Sequence, residues 1–345
     1  MTDVGKVISE FRHIFTDLPA LERELASRPG AVAMRSIVGE AETQAEAGGP
    51  EDLDVLQAEA RKGIRKLREG IEDELTPTEV RGLEAIIHLD GRPAIFVQDG
   101  NFFPAPERWQ ALERQRVGIK SALARVGRIE IHGHPEFDWI GTGFLVGPQV
   151  VMTNEHVARE FAYGSGEKWY FRSGCSARLD LREELGSVQP LEIAVDGILG
   201  VHPELDLALL RVADRDSDGK PLPPPLTLVA AAPEPLAGRM VYVIGYPAWD
   251  GRRNDPEAMR RIFAGIFNVK RLAPGTIRGA DLPARELVHD CSTLGGNSGS
   301  PVIDLDTHQV VGLHFSGRYL EGNRAIPLWL LQDDPLLRQA GAVWA

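Results

Sequence analysis

Three polar residues sit where acyl-transfer chemistry could be built: His156 in Thr-Asn-Glu-His156-Val, Asp206 in His202-Pro-Glu-Leu-Asp206-Leu-Ala-Leu-Leu, and Ser298 in Cys291-Ser-Thr-Leu-Gly-Gly-Asn-Ser298-Gly-Ser-Pro. A serine hydroxyl is a weak nucleophile at neutral pH and needs an adjacent base. His156 would take its proton and later hand it to the leaving amine. Asp206 would fix the imidazole tautomer and stabilise the imidazolium. The glycines around Ser298 let the backbone turn so that the N–H groups of Gly296 and Ser298 converge as an oxyanion hole. Taken singly, each motif has an ordinary reading: a structural histidine, a strand-end aspartate, a Gly/Ser turn. Together, each beside a strand-like run, they point to a serine hydrolase. Asp196 is the alternative acid, but its setting, IAVDGILGV, reads as a strand pair.

The elements that must position these residues change character near residue 126. From there to about 328, short Val/Ile/Leu-rich runs alternate with Gly, Pro and Asp turns, which predicts barrels or sandwiches of antiparallel strands. The extent suits two packed barrels. Before it, residues 4–27 and 52–74 read as helices, 40–52 as a linker, 94–97 as a short strand and 106–125 as a helix. The 329–345 tail reads as a short helix.

The chain has 345 residues, a formal charge of −12 and two cysteines, enough length for two domains and a core without disulfide staples. Residues 1–112 carry 21 acidic and 13 basic side chains (net −8), and 113–345 carry 29 and 25 (net −4). That balance excludes the basic footprint of a nucleic-acid binder. No run approaches the ~20 apolar residues needed to span a bilayer. No secretory signal opens the sequence, so the expected location is cytoplasmic, with Cys175 and Cys291 as free thiols. His132 and His134 lack acidic or cysteine partners at zinc spacing, and neither metal nor cofactor is expected. Arg252, Arg253, Arg260, Arg261, Lys270 and Arg271 read as a solvated basic region, with an acidic partner surface as the alternative.

The segments TNEHV, STLGGNSGSPV and VVGLHFSG, with the chain order His, Asp, Ser, resemble the trypsin-like (chymotrypsin-fold) serine peptidases, and within them the bacterial glutamyl endopeptidase-like branch. The resemblance implies a mainly β chymotrypsin-like double β-barrel, two barrels of six strands with the triad between them, over residues 113–345. It implies a serine endopeptidase acting on protein or peptide substrates. Thr293 and His314 match the positions that contact a substrate carboxylate in that branch, which implies a preference for Glu or Asp before the cleaved bond. Phe315, Ser316 and Gly317 would pair with the substrate as an added strand. Where trypsins place an acid before the nucleophile, this chain has Asn297, so activation by a new N-terminal ammonium is not expected. Residues 1–112 match no peptidase element and read as a mostly α-helical regulatory or adaptor region, a fusion similar in outline to bacterial defence proteases, or equally as a helical cap that simply packs on the barrel. Two other readings share the triad: a catalytically silent peptide-binding module, and an esterase.

Overall fold

The computed structural model describes residues 91–165, 168–249, 259–260, 262–318 and 322–345, together with 62–63, 65–66 and 76. Two compact units divide the chain, one of residues 1–91 and 106–108, the other of 92–105 and 109–345. The helix expected over 4–27 and the linker over 40–52 lie outside the described residues, as do most of the helix expected over 52–74 and, in the basic region, Arg252, Arg253 and Arg261. The second unit holds everything below. It takes in residues 92–105, which the sequence alone groups with the N-terminal region.

The second unit opens with strands β1 (Ile95–Gln98) and β2 (Asn101–Phe102), then helices α1 (Gln110–Arg114) and α2 (Arg116–Leu123). β3 (Val126–His132), β4 (Trp139–Gly147) and β5 (Val150–Thr153) follow. Helix α3 (Glu155–Phe161) and the hairpin β6 (Ala162–Ser165) and β7 (Lys168–Phe171) interrupt the run before β8 (Ser176–Asp180), β9 (Glu192–Val201) and β10 (Ala208–Val212). Apart from that hairpin, the strands from β3 to β10 close into a six-stranded antiparallel barrel in the order β10-β5-β4-β3-β8-β9. IAVDGILGV is one strand, β9, and not a pair. Its pairing with β10 shifts register twice, so the bends expected of a turn appear as irregularities within one ladder.

A second six-stranded barrel is built from β11 (Met240–Gly245), β12 (Arg271–Asp281), β13 (Glu286–His289), β14 (Pro301–Asp304), β15 (Val310–Arg318) and β16 (Gly322–Pro327). The order is β11-β14-β15-β16-β13-β12, closed by β11 pairing with β12. The mainly β double barrel is therefore present. β1 adds to the outside of this barrel, Ile95 opposite Leu272 and Phe96 opposite Arg271. The tail carries helix α4 (Pro335–Gln339), capped by the Asp334 carboxylate.

Strand period explains why these runs are so apolar. Leu145, Val151 and Leu210 face the inside of the first barrel. Their neighbours Phe144, Val146, Met152 and Leu209 face the other way, into a shared core with Tyr242, Ile244, Ile303 and Leu313 of the second. Both faces are buried, so alternation gives way to continuous hydrophobic stretches. α1 and α2 close this core with Leu112, Ile119 and Leu123.

Lys270 and Arg271 depart from the solvated reading. Lys270 is fully buried, donating to the carbonyls of Leu123 (3.0 Å) and Leu181 (2.6 Å) and to Glu184 (3.3 Å), and burial lowers its pKa. The Arg271 guanidinium stacks 3.4 Å from the Phe96 ring centre and donates to Ala94 O. These cations tie the opening strand and α2 to the two barrels, a role their charge alone does not reveal.

Candidate active site

β5 runs out at Thr153, and Asn154 starts α3 with an extended backbone. Val157, Ala158 and Phe161 pin the helix to the first barrel's core, which leaves His156 on the outer face with its side chain half exposed. Asn at a helix start usually caps the free N–H groups. Here its amide instead donates to Asp206 O at 2.8 Å. Asp206 comes from the turn before β10. The buried His202 builds that turn, its Nδ1 accepting from the N–H groups of Glu204 and Leu205 at 3.1 and 3.0 Å. The carboxylate is thus delivered to His156 with both oxygens engaged. Oδ1 accepts from the His156 backbone N–H at 2.9 Å, and Oδ2 meets Nδ1 at 2.6 Å. A carboxylate can only accept, so Nδ1 carries the proton and Nε2 is left as the base. Asp196 is exposed on β9 and has no part in this arrangement.

Ser298 lies on the turn between β13 and β14, in the second barrel. Two glycines let it approach the first. A Cβ on Gly141 would sit 2.9 Å from Val157 Cγ2 of α3 and 3.0 Å from Ser298 O, so the histidine's helix and the serine's turn meet at β4. Gly299 has φ +88°, and a Cβ there would fall 2.0 Å from Thr142 O. The Ser298 hydroxyl and His156 Nε2 have no hydrogen-bond partner among the described residues. Such contacts commonly close only when substrate is bound. The N–H groups of Gly296 and Ser298 likewise donate to nothing among the described residues, while the carbonyls around them are all held.

A family model described as a trypsin-like peptidase domain matches residues 141–313, half of the chain. A probable serine protease of Lysobacter enzymogenes is 30% identical over 320 residues, covering 80% of this chain and 82% of its own. The chain belongs to the trypsin-like peptidases. It is a serine-type peptidase. The serine protease Rv3671c of Mycobacterium tuberculosis is 30% identical over 51% of this chain, a match that spans 35% of its own length. Among solved structures, a serine endoprotease from Yersinia pestis is 18% identical with a TM-score of 0.44, covering 68% of each chain. The active form of the M. tuberculosis protease is 23% identical with a TM-score of 0.41, covering 66% of this chain and 85% of its own. Among the described residues of this trypsin-like peptidase, no helix is long and apolar enough to cross a membrane.

Beside Ser298, β14 pairs with β15 only as far as Leu313. From Phe315 to Gly317 that side of β15 has no strand partner among the described residues, and Ser316 and Gly317 are exposed. His314 is 3% exposed and its Nδ1 lies 3.2 Å from Nε2 of His289, a buried residue that no sequence motif singles out. His289 Nδ1 has no partner. An orphaned buried acceptor is tolerated better than an orphaned N–H. His289 therefore carries its proton on Nε2 and gives it to His314, which leaves His314 a proton on Nε2. Thr293 donates its hydroxyl to Asn323 Oδ1 at 2.8 Å, because the Asn323 amide nitrogen is committed to Cys291 O. The proton expected for a substrate carboxylate is thus already given away.

Burial pushes His289 down to about 4 and His314 well below its usual value, the latter also through the charges of His289 and His156. Between pH 6.5 and 4 the unfolded chain binds protons that the native state refuses, so stability falls as pH falls through that window. The thermal midpoint is expected to drop steeply from pH 6.5 to 4.5, with a shallower slope in His289→Leu. A parent curve flat over this range would contradict the buried neutral pair.

Proposed function

We propose that this trypsin-like peptidase is an endopeptidase with Ser298 as nucleophile, His156 as general base and acid, Asp206 as the group that orients the imidazole, and Gly296 and Ser298 N–H as oxyanion donors. The observation that carries it is the two-point grip of Asp206 on His156, which fixes the tautomer that leaves Nε2 free for the serine proton. The step is acyl transfer: Ser298 Oγ bonds to the carbonyl carbon, the C–N bond breaks, and the amine leaves with the proton held by His156. Water then attacks the acyl-enzyme by the same route in reverse. The free edge of β15 supports recognition of an extended peptide, whose backbone would add as a strand through Phe315 to Gly317. Such an edge favours peptides over simple esters.

The reading extends to specificity. The His314 N–H, neutral and poised by His289, suits an acceptor such as the carboxylate of Glu or Asp, and Thr293 joins it by turning its hydroxyl hydrogen away from Asn323. A peptide library cut by the full chain is expected to show Glu, then Asp, before the cleaved bond. His314→Leu is expected to lower kcat/KM on a Glu substrate by about 10- to 100-fold, with a smaller effect on an Ala substrate. A profile dominated by Arg, Lys or bulky apolar residues would overturn the acidic preference. Turnover of small esters without any peptide cleavage would overturn the endopeptidase. The acidic N-terminal region supports a further role as the regulatory or adaptor part of a cytoplasmic protease. Faster cleavage by a chain beginning at Arg92 than by the full chain would support restraint, and equal rates would end that idea.

A further inference from the structure

The loop that carries the nucleophile is rich in glycine, with Gly295, Gly296 and Gly299 around Asn297 and Ser298. Glycines allow many backbone conformations, so a loop that must aim two N–H groups at one point needs outside restraint. Asn297 has no charge with which to anchor it. Its amide stays local, donating to Leu294 O at 3.2 Å.

The restraint is visible in the carbonyls. Gly295 O accepts from Ala248 N–H at 2.6 Å, and Asn297 O from Ser300 N–H at 2.9 Å. The other two go to one residue of the opposite barrel. Thr142 donates its hydroxyl to Gly296 O and its backbone N–H to Ser298 O, both at 2.8 Å. Thr142 is itself immobilised. It is fully buried on β4, its hydroxyl accepts from Tyr246 N–H at 3.3 Å, and its carbonyl accepts from the Thr153 hydroxyl at 2.8 Å, three residues before His156. Because a peptide unit is planar, holding its carbonyl also sets the direction of its N–H. Ala248 fixes the unit that ends in Gly296 N–H. Thr142 fixes the units on either side of the one that ends in Ser298 N–H. All four carbonyls from Gly295 to Ser298 are taken, while the N–H groups of Gly296 and Ser298, like that of Gly295, have no acceptor among the described residues.

We infer that Thr142 is a positioning residue for the oxyanion hole: its hydroxyl and N–H together hold the Ser298 turn in its catalytic shape by neutral hydrogen bonds. The inference rests on Ser298 being the nucleophile. Thr142 touches no substrate and acts only through the direction of the two N–H groups.

The test uses the full chain. Thr142→Val keeps the shape and the backbone N–H and removes the hydroxyl. A mispositioned donor costs less than a deleted one, whose loss is about 100- to 1000-fold in rate. kcat is therefore expected to fall by about 10- to 100-fold, with KM nearly unchanged. Affinity for a peptide boronate, which forms a tetrahedral adduct on the serine, should fall by the same factor. Thr142→Ser should restore both. If the valine variant does not fold, Thr142→Ala is read the same way. A merely structural role would lower the thermal midpoint without this split between kcat and KM. Labelling by a fluorophosphonate probe separates the role of Thr142 from the role of the serine. If the parent is not labelled at Ser298, the triad reading fails and the role of Thr142 with it. If the parent is labelled and Thr142→Val keeps full kcat and boronate affinity, the role of Thr142 alone is overturned.

Discussion

Ser298→Ala is expected to lower kcat on a peptide substrate by roughly a million-fold while leaving KM within about threefold. Without the hydroxyl there is no acyl-enzyme, and His156 has no proton to move. What remains is water attacking a carbonyl held by the Gly296 and Ser298 N–H groups, and such a residual hole still gives some rate over bulk water. The loss of fluorophosphonate labelling should be complete, and mass spectrometry of the labelled parent should place the adduct on the peptide that contains Ser298. Labelling elsewhere, or a variant that keeps more than about one per cent of the rate, would remove Ser298 from the mechanism.

Asp206→Asn is expected to cost about 10,000-fold in kcat, for a reason written into its two contacts. Oδ1 accepts from the His156 backbone N–H, so in the amide the oxygen must stay on that side. The NH2 group then faces Nδ1, at the position where Oδ2 now sits. Two donors cannot face each other, so Nδ1 loses its proton and Nε2 acquires it. The imidazole is held as firmly as before, in the tautomer that cannot accept from Ser298. Asp206→Ala frees the ring to choose its tautomer and should lose no more activity than Asp206→Asn. Steady-state kinetics on the three proteins checks this order. An asparagine variant with a tenth of the parent rate would show that Asp206 does not set the tautomer.

Much of this is legible in the amino-acid sequence. The two barrels follow from short Val/Ile/Leu-rich runs and turn residues, whereas the short helix α3 between β5 and β6 is hidden among the strand-like runs. The three residues proposed as the triad stand out in the sequence because serine chemistry demands those residue types in a glycine-rich or strand-end setting. The supporting residues are not readable, because their work lies in contacts between distant parts of the chain. His314 stands in a suggestive strand, but His289, which sets its proton, lies 25 residues earlier and two strands across the sheet. Thr142 and Gly296 are 154 residues apart. Lys270 and Arg271 carry the same charge as surface residues, and only the carbonyls and rings around them show that they are internal. Asn323 and His202 look like ordinary polar side chains until the turn or wall that each one braces is seen.

The pairing of β1 with β12 has a consequence for how the molecule comes into being. Ile95 finds its partner Leu272 only 177 residues later (95 to 272). At 5–20 residues per second, a ribosome takes roughly 10–35 s to make that stretch. Until then β1 has only the two-residue strand β2 to pair with, and contacts as remote in sequence as that with β12 form slowly. The Ser298 turn waits longer still, since Gly299 N–H rests on His314 O, and β15 itself needs β16 to close the second barrel. Translation order thus separates the parts of the proposed site: α3 and β10 are made well before the Ser298 turn and β16, and the His202 that builds the Asp206 turn meets Asp334 only when the tail has followed.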